Sequence, residues 1–120
     1  MIKVYLVEDQ ALVRDAVGAL LSLDFNIEVI GQASNGQDAL NAIKALADEA
    51  LPDIILTDIE MPHMSGIELS EQIAATFPTI KMVIMTTFSR AGYIRRSLAL
   101  GVKGFILKEA PSDELINALK

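Results

Sequence analysis

Short apolar runs bounded by turn or charged residues recur along the chain at Ile2–Val7, Ile27–Ala33, 54–57, 80–86 and Gly104–Leu107. Runs of this length, rich in Val and Ile, predict five strands. Between them the apolar residues take helical spacing, at 10–23, 36–50, 66–76 and 90–100, and a last helix is predicted to start near Ser112. Strict alternation of strand and helix predicts a parallel sheet with right-handed crossovers and helices on both faces, because each crossover helix must cover the apolar surface of the sheet. The run Ile54-Ile55-Leu56 is apolar at successive positions, the pattern of a strand buried on both faces. Caps and stops agree: Ser65 or Gly66 opens the third helix after Pro62, Gly101 ends the fourth, and Ser112-Asp113-Glu114 after Pro111 starts the fifth. No repeat, low-complexity segment or internal linker divides the chain, so residues 1–120 are expected to form one domain. The chain stops at Lys120, about two turns into its last helix. That is an unusual place for a domain to end, and a fragment of a longer protein is expected.

Composition narrows the function. A hydrophobic content of 52% over 120 residues is ample for one core. Ten Lys and Arg against sixteen Asp and Glu give a net charge of −6, which repels phosphate backbones and acidic membrane surfaces. The chain by itself is not expected to bind nucleic acid or membrane. The absence of cysteine removes disulfides, thiolate metal sites and thiol catalysis, and any metal must be held through oxygen. The acidic pair Glu8-Asp9 comes too early for a signal peptide, and no later apolar run is long enough to span a bilayer, so a cytoplasmic protein is expected.

In an open parallel sheet the residues just beyond the strand ends share one edge, where ligands bind. Here that edge collects Glu8 and Asp9 after the first strand, Asp58 after the third, Thr86 at the end of the fourth and Lys108 at the end of the fifth. In the flavodoxin-like strand order 2-1-3-4-5, the first and third strands are neighbours, so Glu8, Asp9 and Asp58 crowd together. Three carboxylates at one place demand a cation. Mg²⁺ suits them, because it takes one or two carboxylates, keeps several waters and leaves positions for phosphate oxygens. Asp58 can then attack phosphorus to form an aspartyl phosphate, with Thr86 donating its hydroxyl proton and Lys108 pairing with phosphate oxygens. Taken singly, each residue has an ordinary reading: Asp9 as N-cap of the first helix, Asp58 as a turn residue, Lys108 in a salt bridge, Thr86 as strand packing. Their joint occurrence at successive strand ends favours the chemistry.

The segments Val7-Glu8-Asp9, Leu56-Thr57-Asp58-Ile59-Glu60-Met61-Pro62, Met85-Thr86-Thr87 and Gly104-Phe105-Ile106-Leu107-Lys108 resemble, in order and over the whole chain, the signature of response-regulator receiver domains. The resemblance implies that Asp58 accepts phosphate from a sensor histidine kinase. It implies that Glu8, Asp9 and Asp58, with the backbone carbonyl of Glu60, bind Mg²⁺, and that Thr86, 22 residues before Lys108, reads the phosphate together with that lysine. Phe105 becomes the aromatic ring that turns inward when Thr86 moves. Many receivers carry proline directly after the lysine, whereas here Glu109 follows Lys108 and the proline is Pro111. That pattern and Gly101-Val102-Lys103-Gly104-Phe105 resemble the NarL/FixJ type, whose members usually carry a C-terminal LuxR-type helix-turn-helix. DNA binding is therefore expected only through a further domain outside these residues.

On a helical wheel the first helix shows one apolar stripe of Val13, Val17 and Leu20 and a second of Leu12, Ala16, Ala19 and Leu23, with Leu21 widening the apolar face and Arg14, Asp15, Gly18 and Ser22 on the remainder. The surplus predicts a homodimer face with the final helix, through Leu115, Ile116 and Leu119, strengthened by phosphorylation. Packing of the alanines beneath loops is the alternative. His63, the only histidine, is assigned no function. Three rival functions stand beside the switch. A Mg²⁺-dependent phosphatase would use Asp58-Ile59-Glu60 like the Asp-x-Asp of haloacid-dehalogenase-like enzymes, but those place the motif after the first strand. A flavin module would need a Ser/Thr/Gly-rich loop where Glu8-Asp9-Gln10 stands. A phosphorylation-independent interaction module would not need the complete set of site residues.

Overall fold

Apolar runs on the chain become strands that pair in parallel: β1 (Ile2–Val7), β2 (Ile27–Ala33), β3 (Ile54–Asp58), β4 (Lys81–Thr86) and β5 (Gly104–Leu107), in the order β2-β1-β3-β4-β5. The computed structural model describes residues 1–58, 64–86 and 104–107, with Thr86 and 104–107 as strand backbone. Within these residues the helices are α1 (Ala11–Ser22), α2 (Gly36–Lys44) and α3 (Gly66–Thr76), with a 3₁₀ turn at Asp48–Ala50. The predicted helices at 90–100 and from Ser112 lie outside the described residues. No described helix is long and apolar enough to cross a membrane.

The central strand β3 is buried along its whole length, as its unbroken apolar run predicts. Because side chains alternate, Ile54 and Leu56 join Val4, Leu6 and Val83 under Val17 and Leu21 of α1, while Ile55 joins Val7 and Ile84 under Leu40, Ile43, Leu69 and Ile73 of α2 and α3. The expected three layers follow: α1, sheet, then α2 with α3. Each fully buried Leu or Ile in these clusters contributes about 1.5–3 kcal/mol of transfer free energy.

Strand limits at β1, β2 and β5, and both limits of α3, coincide with the apolar pattern. β3 runs one residue further than expected, to Asp58, and α1 is one residue shorter at each end; three other features also differ. β4 begins at Lys81 because the Ile80 N–H turns back to the Phe77 carbonyl at 3.1 Å. The helix predicted over 36–50 ends at Lys44, and the chain turns through Asp48–Ala50 instead. Pro52 holds Leu51 extended (φ −63°, ψ 145°), and the Lys3 ammonium donates to the Glu49 carbonyl at 3.0 Å, so this segment serves the return to β3. In α1 the buried residues are Val17, Gly18 and Leu21, which moves Gly18 from the polar sector of the wheel to the sheet-facing side. A Cβ there would lie 2.7 Å from Gln32 Nε2, the tip of a flexible side chain, so a larger residue at this position would have to displace that amide. Leu12, Ala16, Ala19 and Leu23 are all exposed, Leu12 at 86% and Leu23 at 76%, so the second stripe is not packed beneath loops.

Candidate functional site

Parallel pairing of β1 with β3 sets Val7 beside Thr57, so the next residues of the two strands, Glu8 and Asp58, emerge side by side at the C-terminal edge. Glu8 is fully buried and Asp58 nearly so, while Asp9 is exposed. Carboxylate oxygens of Glu8, Asp9 and Asp58 all lie within 4.8 Å of one another. The crowding read from the strand order is therefore present in the fold.

Backbone and side-chain contacts hold this geometry. The Glu8 N–H donates to the Ala33 carbonyl at 3.0 Å, and the Arg14 guanidinium donates to the Glu8 carbonyl at 2.8 Å. The buried Thr57 hydroxyl donates to the Asp58 carbonyl at 2.9 Å, and Asp58 pairs with Met85 across β3 and β4. Asp9 does not cap α1. The N-cap is Gln10, whose side chain makes no capping bond, so the simple capping reading of Asp9 is not realised and its carboxylate joins the cluster. Arg14 and Thr57 were not singled out by sequence reasoning. An arginine on a helix face and a threonine in a strand carry no local signal of contact with a loop carbonyl six residues or one residue away.

Thr86 ends β4 one residue beyond the partner of Asp58, at the same edge, and Phe105 in β5 is in register with Ile84. Lys108, Glu60 and His63, and the final-helix residues Leu115, Ile116 and Leu119, lie outside the described residues. Beside the cluster, Tyr5, Arg14, Gln32, Ser34 and Asp38 line an open cleft of about 510 Å³. Burial, reinforced by the nearby Asp38 carboxylate, raises the Tyr5 phenol above its ordinary value of 10.0.

The donor set fits a hard divalent cation. Three carboxylates repel one another, offer oxygen only, and combine two buried ligands with one open to solvent through which an ion can enter. A doubly wound parallel sheet with an acidic cluster at the ends of its central strands defines the class: a flavodoxin-like domain with an acidic edge site. Residues 4–120 match the response regulator receiver domain family, and the chain belongs to it. It is 42% identical over its whole length to the transcriptional regulatory protein DesR of Bacillus subtilis (strain 168), of which it covers 57%. Among solved structures it is similar to a LuxR-family DNA-binding response regulator from Staphylococcus aureus, at 33% identity and a TM-score of 0.89, covering 99% of this chain and 96% of that one. It also resembles the receiver domain of the response regulator NarL from Mycobacterium tuberculosis, at 29% identity and a TM-score of 0.88, with 98% and 92% of the chains covered. The chain spans little more than half the length of the curated relatives it matches, 57% and 58% for the first two. It is a receiver domain of the two-component response-regulator type, with relatives that are transcriptional regulators.

Proposed function

We propose that Asp58 is the phosphoacceptor of this receiver domain and that Glu8, Asp9 and Asp58, with the backbone carbonyl of Glu60, hold Mg²⁺. The observation that carries this reading is the convergence of three carboxylates within 4.8 Å at the ends of β1 and β3. Glu8 and Asp9 fix the cation beside Asp58. Asp58 presents a carboxylate oxygen to the phosphorus of a phosphohistidine on a sensor histidine kinase, and the new P–O bond forms as the P–N bond breaks. Bound Mg²⁺ supplies charge neutralisation for the transferring phosphoryl group. Thr86 then donates its hydroxyl proton to one phosphate oxygen, Lys108 pairs with another, and Phe105 turns inward, so that the phosphorylated state has contacts the unmodified state lacks.

The domain is a switch in the cytoplasm rather than a free-standing enzyme, with at most slow self-dephosphorylation. Its output is a DNA-binding domain C-terminal to these residues, and its similarity to transcriptional regulators supports that reading. The exposed residues Leu12, Ala16, Ala19 and Leu23 support a homodimer face on α1, completed by Leu115, Ile116 and Leu119 and strengthened by phosphorylation. Incubation with Mg²⁺ and acetyl phosphate, followed by intact mass measurement, tests the central step. One addition of about 80 Da, the mass of HPO₃, is expected on the wild type and none on Asp58→Ala. An addition that persists in the variant overturns the assignment, and steady multiple turnover of a phosphate ester points to the phosphatase instead.

A further inference from the structure

Glu8 and Asp9, two of the three clustered carboxylates, are neighbours in sequence and share one peptide group. That group is planar, and the α-carbons of both residues lie in its plane. Holding the plane therefore holds the points from which both side chains depart. The fold holds it from two elements. On the β2 side, the Glu8 N–H donates to the Ala33 carbonyl at 3.0 Å. On the α1 side, the carbonyl of the shared peptide itself, that of Glu8, accepts from the Arg14 guanidinium at 2.8 Å.

Arg14 is built to reach this carbonyl. Its own N–H donates to the Gln10 carbonyl at 2.9 Å, closing the first turn of α1, so the side chain starts from backbone already in the helical ladder. Side chains of a helix lean toward its N-terminus, and a long residue at position 14 is thereby carried back over the loop that precedes the helix. The side chain is half-buried and forms one wall of the cleft with Tyr5, Gln32 and Ser34. Its bond goes to a carbonyl rather than to a carboxylate, so it fixes the loop without consuming a ligand oxygen. The charge of the guanidinium works against a cation bound nearby, while its hydrogen bond works for the geometry of the ligands. The two effects have opposite signs and can be separated.

Resting on the reading of Glu8, Asp9 and Asp58 as a Mg²⁺ site, we propose that Arg14 is a positioning residue: by clamping the peptide between Glu8 and Asp9 it gives the site its preference for Mg²⁺ over Ca²⁺. Mg²⁺ demands near-ideal octahedral geometry with ligands at about 2.0–2.1 Å, whereas Ca²⁺ accepts oxygens at about 2.3–2.6 Å in flexible arrangements. A loop free to shift loses hold of the first ion and keeps the second. Contacts one step removed from a metal change affinity by about 10–100-fold when lost.

The test is calorimetric titration of the wild type and Arg14→Met with Mg²⁺ and, separately, with Ca²⁺. Methionine keeps an unbranched apolar stem and removes both the donor and the charge. Arg14→Met is expected to keep its far-ultraviolet circular dichroism and to bind Mg²⁺ about tenfold more weakly while Ca²⁺ binding changes little, so that the ratio of the two dissociation constants moves by about tenfold. Loss of charge alone would strengthen both ions alike, and a general loosening of the fold would weaken both alike. An unchanged ratio therefore overturns the positioning role and leaves the Mg²⁺ site standing. A wild type that does not bind Mg²⁺ overturns the reading of the site and the positioning role together. Should Arg14→Met not fold, nitrogen-15 spectra of the wild-type guanidinium decide: separate Nη resonances from a group held in place are expected, and a single averaged signal overturns the clamp.

Discussion

Helices α1 and α3 each follow a strand that ends in a site carboxylate, yet they begin in opposite ways. α3 opens with a reciprocal capping box, in which Ser65 accepts from the Glu68 N–H at 3.1 Å and the Glu68 carboxylate accepts from the Ser65 N–H at 3.4 Å. α1 opens at Gln10 with no side-chain cap and no acidic residue in its first turn. The residue in its loop best suited to capping, Asp9, sits one position too early and belongs to the carboxylate cluster. In place of a cap, the loop after β1 is held by the Ala33 carbonyl and the Arg14 guanidinium. Where chain length separates the carboxylate from the helix start, as after Asp58, both capping and chemistry are satisfied. Where it does not, the site takes the acidic residues and the helix start goes without.

The largest effect that would sharpen this contrast is in the packing behind the two helices. Ile73→Ala, on the fully buried face of α3, is expected to lose about 2–5 kcal/mol of unfolding free energy. Leu12→Ala, on the exposed side of α1, is expected to change it by less than about 0.5 kcal/mol. Urea denaturation of both variants checks the pair, and a large loss at Leu12 would mean that α1 is covered within the monomer. Next come the caps. Ser65→Ala is expected to cost about 1 kcal/mol, while Gln10→Ala changes almost nothing and Gln10→Ser stabilises by roughly 0.5 kcal/mol. Equal losses at Ser65 and Gln10 would break the comparison. The smallest effect is a pH slope from Tyr5, which lines the cleft with Arg14. Burial and then Asp38 raise its folded pKa above 10.0, so its contribution to stability is complete below that pH and is lost as pH rises through the raised value. Tyr5→Phe should flatten that part of the stability profile in alkaline chemical denaturation.

Much of the fold was legible because hydrophobic period reports burial directly. The limits of β1, β2, β5 and α3 fell where the apolar pattern changes, and the convergence of Glu8, Asp9 and Asp58 followed from strand order alone. What escaped the sequence depends on close approach between distant elements. Gly18 looked like part of a polar sector until β2 was placed beneath it. Gly31 opposes the Tyr5 ring, with a Cβ position 2.6 Å from Tyr5 Cε2, next to the irregular pairing of β1 with β2. Beyond the end of α2 at Lys44, the turn at Asp48–Ala50 is held by the Lys3 ammonium on the Glu49 carbonyl and followed by Leu51, extended before Pro52, and neither contact belongs to the helical pattern. Arg14 and Thr57 support the site through backbone carbonyls, and a carbonyl has no sequence signature.

The central claim is that the carboxylates missing from the start of α1 serve a cation beside Asp58. Thermal melting of the wild type and Asp9→Asn, in chelator and then at rising Mg²⁺, tests it most directly. The wild type is expected to gain stability with Mg²⁺, by about 2.7 kcal/mol once the ion is a hundredfold above its dissociation constant, and Asp9→Asn to gain far less over the same range. A wild type whose melting is indifferent to Mg²⁺, or an Asp9→Asn that responds equally, would contradict it.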